Sequence, residues 1–404
     1  MLAARSEEQL LVCVARRTLA TEVSDHLSQL LQGELDWDYI LKMADRHCLV
    51  PLLCRHLNAT DPSLVPPHVR GRLERDNHQN TRSNLLLTGE LLKVLELFEQ
   101  NGVPVVSFKG PSLALRIYGD VGLRQFGDLD ILVHRKDILK VKELLISRGF
   151  KSMLALTESQ QAALLRFDCA YNFDNEQGVM LDVHWDFIER HFSFDIDVDR
   201  LWDRLEPVTI NGKELLTLSS EDLLLILCLH GFTHLWERLG WICDVASLID
   251  SRKDLNWQLV LENANTLGAR GILSLGLFLA GDLIGASIPE QVSKALQPDS
   301  KVRKLAEQVR EQLFTERRAP AGVFAEAVTL VTLRERRRDR LRAVLRLAAT
   351  PRSYDWMFLS VPDSLFFLYY LVRPLRLAGK YGAKLLRGSD KHKARTNGIA
   401  GSFS

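Results

Sequence analysis

Asp128 and Asp130 stand two residues apart at the head of the run Asp128-Leu129-Asp130-Ile131-Leu132-Val133. The apolar, β-branched residues favour an extended chain in which positions i and i+2 share a face, so the two carboxylates point together. Like charges held that close repel unless a cation lies between them, and oxygen-only ligands suit a hard ion such as magnesium. The pair reads as a metal site. A third carboxylate is expected, because two metal ions are usually bridged by more than two acidic side chains. In VMLDVHWDF, residues 179–187, alternation puts Leu181, Val183, Trp185 and Phe187 on one face and Asp182, His184 and Asp186 on the other. Asp182 is the candidate third ligand. His184 on the same face is positioned to orient a ligand or contact a nucleotide.

A metal site of this kind needs a phosphate-binding partner. Asn101 to Phe108 is a turn and a short β-branched run, after which Lys109-Gly110-Pro111-Ser112 opens a segment with helical spacing. Gly110 lets the backbone approach a ligand, and Pro111 suits the first helical position. A helix start beside a lysine attracts phosphate. The order strand, glycine turn, helix, Asp-x-Asp strand is that expected of a metal-dependent nucleotide transferase.

The residues Lys109-Gly110, Tyr118-Gly119-Asp120, Leu123-Arg124, Gly127 to Val133, Asp182-Val183-His184-Trp185, and His230, His234, Trp236, Arg238, Trp241 and Asp244 resemble the DNA polymerase beta-like nucleotidyltransferase superfamily, and within it a family of stand-alone bacterial nucleotidyltransferases. The likeness spans roughly Leu85 to Leu248. It implies an α+β fold: a short mixed sheet with flanking helices, set between N-terminal and C-terminal helical regions. It also implies transfer of a nucleoside monophosphate from a nucleoside triphosphate, ATP being the expected donor, to an acceptor hydroxyl or phosphate, with pyrophosphate leaving. Two Mg2+ ions are implied, with Mn2+ as the alternative: one on Asp128, Asp130 and Asp182, the other on Asp128 and Asp130. Lys109-Gly110-Pro111 stands where many members carry Gly-Ser or Gly-Gly, and 17 residues separate Gly110 from Asp128, more than in the commonest form. Lys109, Ser112 or Arg124 would then make the phosphate contacts, with Gly110 and His184 also on the nucleotide side. The resemblance further suggests a helical partner closing over the nucleotide, which makes His234, Arg238 and Asp244 candidates for the acceptor or nucleotide side.

Periodicity gives the elements that must hold these groups. Residues 1–83 read as a helical domain of amphipathic helices interrupted by a Pro-rich loop from Asn58 to Pro67, and Ser83 to Gln100 as a helix leading into the first strand. Residues 84–218 form the expected catalytic domain. It includes a helix from Asp137 to Arg148, a hairpin with arms Arg166 to Phe173 and Val179 to Phe187, and a small hairpin around Asn211-Gly212. Residues 219–300 are the expected closing domain. Ser220 is its first cap, and a helical segment runs from Glu221 to Asp250. Residues 301–387 form a basic and aromatic helical region, followed by a disordered tail at 388–404.

At 404 residues and 46% hydrophobic content the chain can bury a sizeable core. The N-terminus is too charged for a signal peptide and no run of about 18 apolar residues occurs, so a cytoplasmic protein is expected. A net charge of +1 gives no steer towards nucleic acid. Six cysteines in apolar stretches read as reduced thiols. His47, Cys48, Cys54 and His56 lack a tight zinc knuckle and read as a helix junction. Seven arginines between Leu333 and Leu347, eight basic residues between Arg373 and Arg395, and aromatics from Trp356 to Tyr370 allow peripheral contact with the inner membrane surface; arginines pointing to solvent from a packed helix is the plainer reading. The alternative functions are a nucleotide-binding regulator and a membrane-surface adaptor, both without turnover.

Overall fold

Alternation along two neighbouring strands decides how the sheet faces. In the computed structural model, which describes residues 5–315, 329, 331–334, 337–352, 355–356, 361–377 and 379, Leu129, Ile131, Val133, Leu181 and Val183 are buried in one hydrophobic core. The residues between them therefore turn to the opposite side of the sheet.

Four helices come first: α1 (Ser6–Val14), α2 (Thr21–Leu31), α3 (Trp37–Arg46) and α4 (Val50–Asn58), the last with Pro51 in its first turn. Helix α5 then runs unbroken from Pro67 to Gln100. Its start lies well before the expected Ser83, because Pro66 and Pro67 end the loop and nothing downstream breaks the helix. The boundary expected at residue 83 falls inside it.

Strand β1 (Val105–Ser107), α6 (Gly110–Tyr118), β2 (Asp128–Val133), α7 (Ile138–Ser147), β3 (Phe150–Ser152), α8 (Glu158–Phe167), β4 (Ala170–Asn175) and β5 (Met180–His184) follow. The sheet order is β1-β2-β5-β4-β3. Only β2 and β5 pair in parallel, with Asp130 opposite Asp182; the other neighbours are antiparallel. The hairpin forms, with two differences from the expectation. Arg166 and Phe167 belong to α8, which a capping box of Thr157 with Gln160 starts and which runs to Phe167. Strand β5 ends at His184, so alternation stops there and Phe187 packs edge-on to Phe108, centroids 5.0 Å apart, instead of sharing the face of Leu181, Val183 and Trp185.

After α9 (Val198–Trp202), β6 (Glu206–Ile210) and β7 (Lys213–Thr217) form the small hairpin, with Asn211 and Gly212 both at positive φ as a two-residue turn requires. Ser219, one residue earlier than expected, caps α10 (Ser220–Thr233) through Asp222 N. The helical stretch expected to reach Asp250 is two helices, since α11 starts afresh at Leu239 and ends at Ser251. Leu235 and Trp236 sit between them at φ of 52° and 51°. The buried Trp236 ring explains that unfavourable backbone: it fills space over Gly231, where a Cβ would stand 2.5 Å from the ring. Helices α12 (Trp257–Leu267), α13 (Arg270–Leu279), α14 (Glu290–Ala295) and α15 (Ser300–Leu313) complete a second core with α1–α4, α10 and α11.

On α16 (Arg337–Ala349), Arg337, Arg338 and Arg342 are exposed, as expected of a packed helix with its arginines in solvent. Arg334, just before it, differs: it is buried, donates to the Phe192 and Ser193 carbonyls and lies 3.5 Å from the Phe194 ring centroid. Arg373 is buried against Asp355 and the Leu347 carbonyl. Trp356 and Tyr369 join the sheet core. Met357, Phe358, the basic residues beyond Gly379 and the 388–404 tail lie outside the described residues. No helix among the described residues is long and apolar enough to cross a membrane.

Candidate active site

Because Leu129 and Ile131 face the core, Asp128 and Asp130 face a cleft of about 1370 Å³, and parallel pairing of β2 with β5 brings Asp182 and His184 to the same wall. The cleft is also lined by Lys109, Arg124, His230, His234, Arg238, Trp241 and Asp244. Most of the expected site residues thus share one cavity. Two do not line it. Ser112 is fully buried and hydrogen-bonded to the Ser107 hydroxyl at 2.7 Å, because it lies on the face of α6 turned to β1. Gly110, at φ 54°, packs against β2, where a Cβ would meet the Asp128 carbonyl at 3.4 Å.

Lys109 caps α6 and reaches back over the strand, its Nζ 3.2 Å from Asp130 Oδ1 and 3.4 Å from His230 Nδ1. His184 Nε2 approaches the same Asp130 oxygen at 3.2 Å. Burial alone would raise the Asp130 pKa, but the Lys109 ammonium and His184 outweigh it and hold the group below the ordinary carboxylate range. Asp128 goes the other way, raised by burial and by the Asp130 charge beside it. Asp182 is also raised by burial, against the opposing bond from Asn172 Nδ2 to Oδ1 at 2.6 Å.

Burial, then the Lys109 charge, keeps His230 far below its usual pKa, so the neutral ring can accept from Lys109. His234 is held at about 4 by burial and by Lys109 and Arg238. The two imidazoles and Trp241 form a ring cluster with centroids 4.6–5.2 Å apart. Arg238 lies over the Trp241 ring at 5.4 Å and reaches Cys48 Sγ at 3.5 Å.

Arg124 pairs with neither Asp120 nor Asp128. Its guanidinium is gripped by Asp244 on α11, with Nε 3.2 and 3.1 Å from the two carboxylate oxygens, and the Tyr118 hydroxyl donates to Asp244 at 3.0 Å. Asn84 fixes the Arg124 backbone by donating to its carbonyl at 2.7 Å. Asn172 and Asn84 are supports that sequence reasoning missed, and it names Tyr118 without giving it a role; Tyr118 and Asn84 act through partners distant in sequence, and Asn172 through the register of the β4–β5 hairpin.

His47 and His56 are committed to other bonds, the first accepting from Leu239 N at 3.1 Å and the second donating to the Arg16 carbonyl at 2.8 Å. They tie helices together, as a helix junction would. Ligand atoms of Asp130, Asp182 and His184, by contrast, all lie within 4.8 Å of one another, a grouping able to hold a metal ion. With Asp128 on the same strand face, the donor set and its like-charge crowding fit a divalent cation.

A mixed sheet that presents acidic side chains from adjacent strands beside a lysine-flanked helix start is the arrangement of a nucleotidyltransferase. The chain belongs to the family described as uncharacterised nucleotidyltransferase, which it matches over residues 33–285. It is an enzyme of nucleoside monophosphate transfer. Among solved structures it is similar to the antibiotic-resistance factor ANT(2'')-Ia, at 12% identity over 46% of this chain and 94% of that one, with a TM-score of 0.33. An antigenic nucleotidyltransferase-like protein from Paracoccidioides brasiliensis is 19% identical over 47% of this chain and 91% of that one, with a TM-score of 0.29. No curated protein matches the chain.

Proposed function

We propose that this nucleotidyltransferase is metal-dependent, takes ATP or another nucleoside triphosphate, and transfers the nucleoside monophosphate to a hydroxyl or phosphate of a small molecule, peptide or glycan precursor. The observation that carries the reading is the convergence of Asp128, Asp130 and Asp182 on one wall of the cleft with Lys109 at 3.2 Å from Asp130. These carboxylates would hold Mg2+, or Mn2+, which would supply charge neutralisation at the triphosphate and a lowered pKa for the acceptor hydroxyl.

The chain's own groups do the rest. Lys109, a mobile point charge at a helix start, turns from Asp130 to the phosphates as the triphosphate enters. Neutral His230 accepts from the ammonium and aims it. Arg124, immobilised by Asp244, adds fixed positive potential near Asp128. The acceptor oxygen bonds the α-phosphorus, the α–β bridging P–O bond breaks, and pyrophosphate leaves with the electron pair. Asp182, on the same wall of the cleft, takes the acceptor proton. His234, Arg238 and Trp241 form the opposite wall, where the base or acceptor lies. The near-neutral charge of +1 disfavours a nucleic-acid acceptor.

The test is turnover of labelled nucleoside triphosphates with Mg2+ by the whole protein, beside the Asp128→Ala/Asp130→Ala double variant. Pyrophosphate release that vanishes in the variant is expected; equal release from both would overturn the site.

A further inference from the structure

We infer that His184 is itself a metal ligand, so that one cation position, bounded by Asp130, Asp182 and His184 Nε2, has a mixed nitrogen and oxygen shell that prefers a borderline ion of the manganese or cobalt class to magnesium. The inference rests on the metal-dependent reading above and adds a ligand and an ion class to it.

The ring's orientation carries the inference. His184 Nδ1 lies 3.3 Å from the Asp186 backbone carbonyl, which only accepts, so Nδ1 bears a proton. Nε2 points at Asp130 Oδ1 from 3.2 Å, so either a second ring proton or a cation must lie between the two. Ligand atoms of Asp130, Asp182 and His184 all lie within 4.8 Å of one another, close enough for one cation to take the place of that proton. Lys109 lowers the charge on Asp130, but its own N–H lies along the Nζ to Oδ1 line and cannot also lie between the carboxylate and the imidazole.

A ligating histidine that donates its other ring N–H to a backbone carbonyl is the usual outer support of a metal site, since that bond fixes both tautomer and ring orientation. Here the ring is further held edge-on to Phe108, with centroids 5.2 Å apart. Parallel pairing adds the second oxygen donor by setting Asp130 beside Asp182. Asp182 is oriented in turn by Asn172. Imidazole nitrogen is a donor that magnesium seldom takes, whereas transition ions accept it readily.

The test loads the full-length protein with Mn2+ and pyrophosphate, a ligand without nitrogen, in nitrogen-free buffer, and reads electron spin-echo modulation from nitrogen bound to the ion. The expected result is a single histidine nitrogen whose modulation pattern changes when the histidines carry nitrogen-15. In His184→Gln the signal disappears and Mn2+ binds at least about tenfold more weakly, since loss of even an outer support costs roughly 10–100-fold. Bound Mn2+ without nitrogen modulation in the unmodified protein overturns the inference and leaves the transferase reading standing. A signal that persists in His184→Gln overturns it too. Failure to bind any divalent ion overturns both readings. The labelled unmodified protein is diagnostic even if the variant does not fold.

Discussion

Asn172 and Asp182 face each other across the antiparallel β4–β5 ladder, and the amide of the first holds one carboxylate oxygen of the second at 2.6 Å. The bond fixes the rotamer of a group that burial would otherwise favour as a neutral acid. Asn172→Ala should leave the fold intact and lower kcat/KM by roughly 5–30-fold, the equivalent of about 1–2 kcal/mol for one charge-assisted bond. Steady-state kinetics beside thermal unfolding check this; a lower Tm with unchanged kcat would make Asn172 structural only.

Asp128 is crowded by Asp130 and by burial, so its charge costs folding free energy when no metal is present. Asp128→Asn should therefore abolish turnover while leaving Tm in chelator unchanged or higher. A large fall in Tm would contradict the repulsion described here.

Asp244 and Arg124 form a buried pair, and removing one partner strands the other charge. Asp244→Ala should cost about 3–5 kcal/mol in denaturant unfolding. If stability is unchanged and only the KM for the nucleotide rises, Arg124 is a substrate contact and not a clamp.

His56, His191, His230 and His234 are all held below their usual pKa, with burial the largest cause in each. The folded state therefore binds fewer protons than the unfolded chain once pH drops below the ordinary histidine value. Their stabilisation is complete above about pH 6.5 and is lost as pH falls, for His234 down through about 4. Tm should decline over that window, and His234→Gln should make the decline shallower.

Gly231→Ala would drive a methyl into the Trp236 ring, which stands 2.5 Å from the added carbon. An overpacking cost of about 1–3 kcal/mol is expected by chemical denaturation. A neutral result would mean that the loop between α10 and α11 relaxes freely.

The period of two along β2 and β5 made the carboxylate face legible in advance, because Leu129, Ile131, Leu181 and Val183 leave only one side for the aspartates. The parallel register of Asp130 with Asp182 was not legible, since it depends on how β2 and β5 meet across nearly fifty intervening residues. The same holds for Arg124: it reads from the sequence as a phosphate contact, and its partner Asp244 is 120 positions away. Ser112 misled because its place after Lys109-Gly110 says nothing about which side of α6 it occupies. The break at Leu235 and Trp236 went unseen because nothing local marks it; a ring seated over Gly231 dictates the backbone.

Helix α5 carries two kinds of residue in succession. Arg72, Asp76, Gln79, Asn80 and Ser83 line the cleft, and Leu87, Leu91, Val94, Leu95 and Phe98 anchor the sheet. The first group is polar and borders a solvent space, so exchanging it alters what the cleft admits without loosening what holds the strands. A single rod thus joins the wall of the cleft to the footing of the sheet, its outer face in the first turns shaping the space while Val69 and Leu73 beside it stay buried.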